Sequence, residues 1–259
     1  MSANGEGLGR VLTVALGLCL VCSVVVSTAA VLLKPAQQAN KTLDLKRNIL
    51  MAAGLLDPSR SVEEQFEQVE TRIVNLDAGQ FVDGVDPAVF DQREAAKDPA
   101  RSRPIPNDED AAKLVRREDQ ALVYLVRTGR GDLDKIILPI RGYGLWSTLY
   151  GFMALESDGN TIAGLGFYEH GETPGLGGEV DNPRWKSIWP GKLVYQGNEV
   201  AIEVLKGSVR ADSAQAQWQV DGLSGATLTT KGVDNLVKYW LGEQGFKPLL
   251  DNLRQGEVS

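Results

Sequence analysis

The sequence predicts an α+β protein with an N-terminal transmembrane helix, a helical neck, and a domain with a mainly antiparallel sheet and a C-terminal helix. Three observations lead to this fold class. An apolar run without charge opens the chain, helical apolar spacing follows it, and short apolar runs separated by Gly and Asp-Gly turns fill the second half. We expect a membrane anchor over residues 1–34, the neck and a linker over 35–110, and the folded domain over 111–259.

The anchor prediction depends on residues 11–33, which contain no charged side chain. A helix of this length spans the roughly 30 Å hydrocarbon layer of a bilayer and satisfies its own backbone groups in lipid. The alternative is a cleaved signal peptide, because Ser27-Thr28-Ala29 offers a small-residue cleavage site. The unbroken apolar continuation through residues 31–33 favours the anchor, with the lipid bilayer as its partner.

The charges that flank the anchor give a weak orientation signal. Arg10 precedes the apolar run, whereas Lys34, Lys41, Lys46 and Arg47 follow it. Taken alone, the positive-inside rule places the large domain in the cytoplasm.

The residues that bind metals or carry reactive thiols are scarce. Cys19 and Cys22 both lie in the apolar run, where cysteine usually behaves as a small hydrophobe. A redox or metal-binding role for the pair is the alternative, but one pair cannot complete a four-ligand site. His170 is the single histidine. We therefore predict no metal site and no catalytic side chain.

The neck shows two helical patterns. Residues 35–56 keep helical apolar spacing up to Asp57-Pro58, which ends it. Ser61 and Glu64 form a capping-box pattern, and the apolar residues behind it predict a second helix with one apolar face, formed by Phe66, Val69 and Ile73. Residues 91–110 are polar, contain three prolines and are expected to be a linker.

The second half of the chain has the patterns of a sheet domain. Four apolar runs predict strands at 121–126, 135–138, 150–155 and 161–168, and two further strands are expected at 199–205 and 216–220. Residues 157–160, Ser-Asp-Gly-Asn, suit a hairpin turn. A terminal helix is expected from Thr230 to Leu241.

The charge balance excludes one class of function. The 259-residue chain carries a formal net charge of −7 and has a pI of about 4.9. An acidic chain without a long Lys/Arg run is a poor nucleic-acid binder.

Three glycine-rich segments, residues 141–147, 170–179 and 221–230, are candidates for a shared site. None has the spacing of a phosphate-binding loop, a dinucleotide fingerprint or a G-x-S-x-G nucleophile elbow, so a Ser-His-Asp hydrolase is poorly supported. Taken by themselves, these segments fit ordinary turns equally well.

Residues 221–227, Asp-Gly-Leu-Ser-Gly-Ala-Thr, resemble the flavinylation motif of the FMN-binding domain family. Residues 172–177, Glu-Thr-Pro-Gly-Leu-Gly, are similar to another hallmark of that family. The Gly-Tyr-Gly-Leu-Trp-Ser form of residues 142–147 and the neck segment 48–54 resemble one of its branches. The resemblance implies covalent FMN, joined by a phosphoester to Thr227 and attached by a flavin transferase that uses FAD and a divalent cation.

The resemblance also assigns roles around the attachment point. A helix N-terminus near Thr227 would favour the phosphate, and Lys231 would offset its charge. Ser224, Gly225 and Ala226 would lie against the flavin phosphate, and Asp221 would serve recognition by the transferase or bind its metal. The alternatives are a turn carboxylate for Asp221 and helix-capping hydroxyls for Ser224, Thr229 and Thr230.

The other two loops are expected to hold the ring system. Leu145, Trp146 and Leu176 offer apolar contact, and Glu172 and Thr173 offer hydrogen bonds. Lys206 would place a cation near the flavin or its phosphate. The alternatives are a core role for Trp146 and a solvated carboxylate for Glu172.

The branch that the chain resembles implies a function. The chain would be a covalent-FMN electron-carrying subunit, not active alone, of a membrane respiratory complex that oxidises NADH, reduces ubiquinone and pumps sodium ions. Its partners would be the other subunits, one of which would bind NADH, and the FMN domain would lie on the periplasmic side of the bacterial inner membrane, against the weak charge signal. His170 would not be needed for turnover.

Three alternatives remain open at this point. They are the G subunit of the Rnf electron-transport complex, a membrane-anchored flavin-binding sensor without electron transfer, and a structural anchor subunit with an unmodified threonine.

Overall fold

The chain divides into two compact units, Met1–Leu45 and Lys46–Ser259, and the computed structural model describes residues 5–256. Helix α1 covers Gly5–Ala52 and continues through Pro35. In the described part of the chain, it is the one helix long and apolar enough to cross a membrane. The side chains of residues 11–33 are all exposed, as an anchor requires.

Helix α1 ends earlier than the sequence predicts. Gly54 adopts a left-handed φ of +68°, and the Leu55 amide donates to the Leu50 carbonyl at 2.8 Å. This bond from the residue after the glycine is typical of a glycine-capped helix C-terminus. The prediction that Asp57-Pro58 ends the helix is therefore wrong, because Gly54 already does so.

The N-cap role of Ser61 is confirmed, but the helix behind it is short. The Ser61 hydroxyl accepts a hydrogen bond from the Glu64 amide at 3.2 Å and begins helix α2, Val62–Phe66. The next residues form strand β1, Val69–Asn75. The prediction of a single helix face is therefore wrong beyond Phe66, since β1 pairs along its full length with a central strand.

The remaining elements follow in chain order: β2 Gln80–Phe81, α3 Gln92–Lys97, β3 Ser102–Pro104, β4 Arg116–Glu118, β5 Gln120–Arg127, β6 Leu133–Tyr143, β7 Thr148–Glu156, β8 Ile162–Glu169, α4 Pro183–Lys186, β9 Tyr195–Gln196, β10 Glu199–Val200, β11 Glu203–Val204, β12 Gln219–Val220, α5 Thr227–Trp240 and α6 Lys247–Gln255. Two 3₁₀ turns occupy Gly177–Asp181 and Ala216–Trp218.

The main sheet has six strands in the order β2-β1-β5-β6-β7-β8, and each neighbouring pair is antiparallel. The four strands expected from the apolar runs are confirmed as β5 to β8. The predicted hairpin turn joins β7 to β8, with Gly159 at a φ of +62°. The two later predicted strands are reduced to two-residue pairs, of which β11 and β12 run parallel.

The expected linker over 91–110 contains regular structure. Asp91 caps α3 by accepting from the amides of Arg93 and Glu94, each at 3.0 Å. Strand β3 then pairs with β4. Because β1 and β2 also belong to the main sheet, residues 69–81 are part of the folded unit. The predicted domain boundaries at residues 34 and 110 stay predictions.

Helix α5 packs on β6 and lies where the three glycine-rich loops emerge. Its buried apolar side chains belong to one core with the inner face of the sheet and are Val233, Leu236, Val237, Tyr239 and Trp240. A Cβ at Gly142 of β6 would lie 2.4 Å from the Leu236 Cβ, so the close approach requires glycine there. Helix α6, which the sequence analysis missed, buries Leu249 and Leu250 in the same core.

We expect Leu236→Ala to lower the free energy of unfolding by about 2–5 kcal/mol, because it leaves a cavity between α5 and β6. Leu228→Ala is the matched control on the same helix. Leu228 is 59% exposed, so its loss should change stability by less than about 0.5 kcal/mol. Urea unfolding of the full chain measures both, and equal losses would contradict the packing described here.

Candidate functional site

The three glycine-rich segments meet at one edge of the folded unit. Loop 1, residues 141–147, connects β6 to β7, and loop 2, residues 170–179, follows β8. Loop 3, residues 221–230, follows β12 and enters α5. Antiparallel pairing places the end of β8 beside the start of β7, and α5 packs on β6. The fold therefore brings the three loops together.

A single buried carboxylate links the three loops. Glu172 of loop 2 is 5% exposed. Its Oε1 accepts hydrogen bonds from the backbone amides of Leu145, Trp146 and Ser147 in loop 1, at 3.1, 2.9 and 3.1 Å. Its Oε2 accepts from the Thr229 hydroxyl in loop 3 at 2.7 Å. Both oxygens therefore have donors inside the protein.

Glycines in loops 1 and 2 make room for this carboxylate. A Cβ at Gly144 would lie 2.7 Å from Oε1, and a Cβ at Gly177 would lie 2.6 Å from Oε2. Neither separation is possible for a real side chain, so glycine is required at both positions. The Ser147 hydroxyl also accepts from the Gly171 amide at 2.6 Å, which ties loop 1 to loop 2 a second time.

The hydrogen bonds keep Glu172 ionised despite its burial. Burial disfavours the charged carboxylate and raises its pKa. The Trp146 amide, the Thr229 hydroxyl, and the amides of Leu145 and Ser147 together outweigh that effect, so the pKa of Glu172 lies below its ordinary value of 4.5. The sequence-based expectation that Glu172 hydrogen-bonds a bound ring, and the alternative of a solvated carboxylate, both disagree with this placement.

Helix α5 starts at Thr227, whose side chain is exposed. Ala226 occupies the N-cap position, the first helical bond runs from the Thr230 amide to the Ala226 carbonyl, and no side chain among the described residues caps this end. Backbone N–H groups at an uncapped helix start favour an anion.

The alternative that three hydroxyls cap this helix is wrong. Ser224 is exposed and makes no cap bond, and the Thr229 hydroxyl donates to Glu172. The Thr230 hydroxyl accepts from the Leu223 amide at 3.0 Å and so holds loop 3 against the helix.

Four exposed apolar side chains lie on loops 1 and 2 and on the first turn of α5. We call this set the apolar rim; its members and their exposed fractions are Leu145 36%, Trp146 67%, Leu176 46% and Leu228 59%. Leu176 lies close to Gly225, where φ is +73° and a Cβ would be 3.3 Å from the Leu176 Cδ2. Because Trp146 is 67% exposed, the alternative that it belongs to the core is wrong.

The remaining predicted site residues lie around the same loops. Asp221 Oδ1 accepts from the Val209 amide at 2.7 Å, so this carboxylate ties loop 3 to the segment that contains Val209, twelve residues earlier in the chain. The Gly222 amide donates to the Gly207 carbonyl at 2.9 Å, which brings the segment with the exposed Lys206 against loop 3. Thr173 is exposed in loop 2.

His170 holds loop 2 through contacts of both its ring nitrogens. Its Nε2 lies 2.7 Å from Asp181 Oδ2, and Asp181 also pairs with Lys186 at 3.1 Å. Its Nδ1 accepts from the Glu172 amide at 3.2 Å.

Sequence reasoning missed the supporting roles of Ser147 and Thr229, because no local pattern marks a hydroxyl whose partner lies on another loop.

The comparisons with known proteins agree with this geometry. Residues 144–242, which contain most of loop 1 and all of loops 2 and 3, match the FMN-binding domain family. The C subunit of the Na(+)-translocating NADH-quinone reductase of Pseudomonas aeruginosa is 55% identical to the chain, over 99% of it and 100% of the relative. The protein of the same name from Vibrio vulnificus is 47% identical over the same shares.

The chain belongs to the C-subunit family of the Na(+)-translocating NADH-quinone reductases. The crystal structure of Shewanella oneidensis NqrC has a TM-score of 0.77 and 36% identity, covering 84% of this chain and 99% of that one. The C subunit from Parabacteroides distasonis has a TM-score of 0.65 and 30% identity, covering 84% and 96%. The predicted α+β fold class and the family resemblance are thus confirmed.

Family membership and the apolar helix α1 together make this a membrane-anchored subunit with an FMN-binding domain. Over residues 5–256, no group of three or more His, Cys, Asp or Glu side chains is arranged to hold a metal ion.

The lowered pKa of Glu172 predicts how stability depends on pH. A carboxylate whose pKa is depressed in the folded state stabilises that state above its unfolded pKa, and this contribution disappears as the pH falls through the folded pKa. We therefore expect Glu172→Gln to cost about 1–3 kcal/mol at pH 7 and progressively less below pH 4.5.

Thermal unfolding from pH 3 to pH 8 measures this dependence. Glu67→Gln is the control, because Glu67 is exposed at the end of α2. A Glu172→Gln deficit that stays constant over the whole pH range would show that the charge of Glu172 does not stabilise the loops.

Proposed function

We propose that Thr227 carries FMN through a phosphoester and that this chain is the electron-carrying subunit of a complex that oxidises NADH, reduces ubiquinone and pumps sodium ions. One observation carries the proposal. An exposed threonine ends a flavinylation-like motif at an uncapped helix start, and the apolar rim lies on the loops that meet at this helix start.

The residues present suit such a cofactor. The first amides of α5 and the neighbouring Lys231 favour the phosphate. The apolar rim offers contact to a flat aromatic ring, and the exposed Thr173 offers hydrogen bonds to the ring edge or the ribityl chain. Ser224, Gly225 and Ala226 form the turn before Thr227, and Lys206 would bring a positive charge to the same side.

This arrangement gives the flavin and the protein different roles. Bound FMN supplies one-electron redox chemistry, and the protein supplies attachment, orientation and charge. None of the described side chains around the loops is assigned a proton-transfer role. His170 already bonds Asp181 and the Glu172 amide, which supports a structural role for it.

The proposed partners follow from the same reading. NADH would bind on another subunit, a flavin transferase would attach FMN from FAD during maturation, and Asp221 would serve that transferase or its metal. Residues 11–33 would cross the bacterial inner membrane once, with the FMN domain on the periplasmic side.

End-to-end similarity to C subunits of Na(+)-translocating NADH-quinone reductases supports this proposal over the G subunit of the Rnf complex. A flavin-binding sensor and an unmodified anchor subunit remain the alternatives from other classes. Visible absorbance of the purified chain separates the unmodified anchor from the flavoproteins.

For attachment, we expect a fluorescent band on a denaturing gel when the chain is co-expressed with a flavin transferase. The band should disappear in Thr227→Ala, because the acceptor oxygen is lost, and persist in Ser208→Ala. Ser208 is a suitable control, since it is an exposed hydroxyl outside the motif. A fluorescent band that persists in Thr227→Ala would contradict the assignment of Thr227 as the attachment site.

For topology, we expect a reporter that is active only in the periplasm to be active when fused after Ser259. The basic residues behind the anchor lie in a helix and are a weak orientation signal. A reporter active only in the cytoplasm, fused at the same position, is the matched control. Activity from that reporter alone would favour the charge count over the family inference.

A further inference from the structure

We propose that Glu172 is the positioning residue of the flavin site and does not contact the flavin. Its carboxylate would hold loop 1 against the first turn of α5, so that Leu145 and Trp146 keep a fixed place relative to Thr227. This inference rests on the proposed attachment of FMN to Thr227.

The bonding of Glu172 argues against direct contact with a cofactor. Oε1 already accepts from three amides and Oε2 from the Thr229 hydroxyl, at 2.7–3.1 Å. The side chain is 5% exposed, whereas the rim side chain of Trp146 is 67% exposed. Because the carboxylate is buried, a ligand could reach it only by opening the loops around it, which would cost the hydrogen bonds that stabilise this charge.

The carboxylate connects the two parts of the proposed site. Thr229 lies two residues after Thr227 in the same helix, and a helix rises only about 1.5 Å per residue, so fixing Thr229 also fixes Thr227. The amides on Oε1 belong to Leu145, Trp146 and the residue that follows them. One group therefore sets the distance between the phosphate attachment point and two ring contacts.

Neighbouring residues restrict the placement of Glu172 itself. Its amide donates to His170, and the preceding amide donates to the Ser147 hydroxyl. A Cβ at Gly144 or Gly177 would overlap the carboxylate, so Glu172 can keep this place only if both residues are glycine. A rigid support of this kind is what holds a cofactor site in one geometry.

Thr229 provides the test, because its side chain is fully buried and its hydroxyl donates to Glu172. Thr229→Val keeps the shape and removes the donor, Thr229→Ser keeps the donor, and Glu172→Ala removes the carboxylate.

The first measurement is amide hydrogen exchange of residues 145–147 in the full chain expressed without the transferase. We expect exchange about tenfold faster or more in Glu172→Ala, an intermediate rate in Thr229→Val, and the native rate in Thr229→Ser.

The second measurement is the fluorescence lifetime of flavin on the full chain co-expressed with the transferase. We expect flavin still attached in Thr229→Val, since Thr227 is intact, but with a longer lifetime that resembles Trp146→Leu, because the indole no longer lies against the ring. Thr229→Ser should restore the native lifetime.

The two measurements separate the possible failures. Absence of covalent flavin in the native chain would reject the proposed function, while the exchange experiment would still report on the support. Native exchange rates in both Glu172→Ala and Thr229→Val would overturn the positioning role. Faster exchange with an unchanged flavin lifetime in Thr229→Val would overturn it as well.

Discussion

A carboxylate removed from water needs donors on both oxygens, and this requirement organises the candidate site. Glu172 meets it with three loop 1 amides on one side and the Thr229 hydroxyl on the other. Two glycines are needed because the carboxylate occupies the space of their missing side chains. Both oxygens bond within the protein, so the surface that remains for a ligand consists of the exposed rim and the start of α5.

The six-stranded sheet provides the platform for this arrangement. Long antiparallel ladders between β6, β7 and β8 fix where loops 1 and 2 begin. Helix α5 packs closely on β6, and the Trp240 indole donates to the Arg141 carbonyl at 2.7 Å, which joins the far end of the helix to the start of loop 1. Thr227 therefore lies at the start of a well-packed helix, while its own side chain faces solvent.

An exposed cofactor site suits the proposed role. A carrier that exchanges single electrons with other subunits needs its flavin near the surface, and a covalent bond prevents loss of an exposed cofactor. The contrast between the buried support and the exposed rim is consistent with this role, since the support stays rigid while the rim remains accessible.

Local patterns predicted the parts of the fold that depend on local physics. The uncharged run, the N-cap at Ser61 and the four apolar strands appear as expected, and the helix predicted from Thr230 to Leu241 appears as α5, which starts three residues earlier at Thr227. The patterns failed where pairing with a strand distant in sequence decided the secondary structure. Val69 and Ile73 fit one helix face, but seven antiparallel pairs with β5 make them strand residues.

The candidate site shows the same division. The sequence by itself determined the strands before the loops and a helix expected from Thr230 to Leu241, because apolar spacing is a local property. Spacing left the three loops as possible ordinary turns, and only the family resemblance singled out Thr227. Only the tertiary structure decided that Glu172 faces inward, that Thr229 bonds to it and that Trp146 is exposed. Burial and hydrogen bonding between loops far apart in the chain depend on the packed sheet and helix, and no local pattern carries that information.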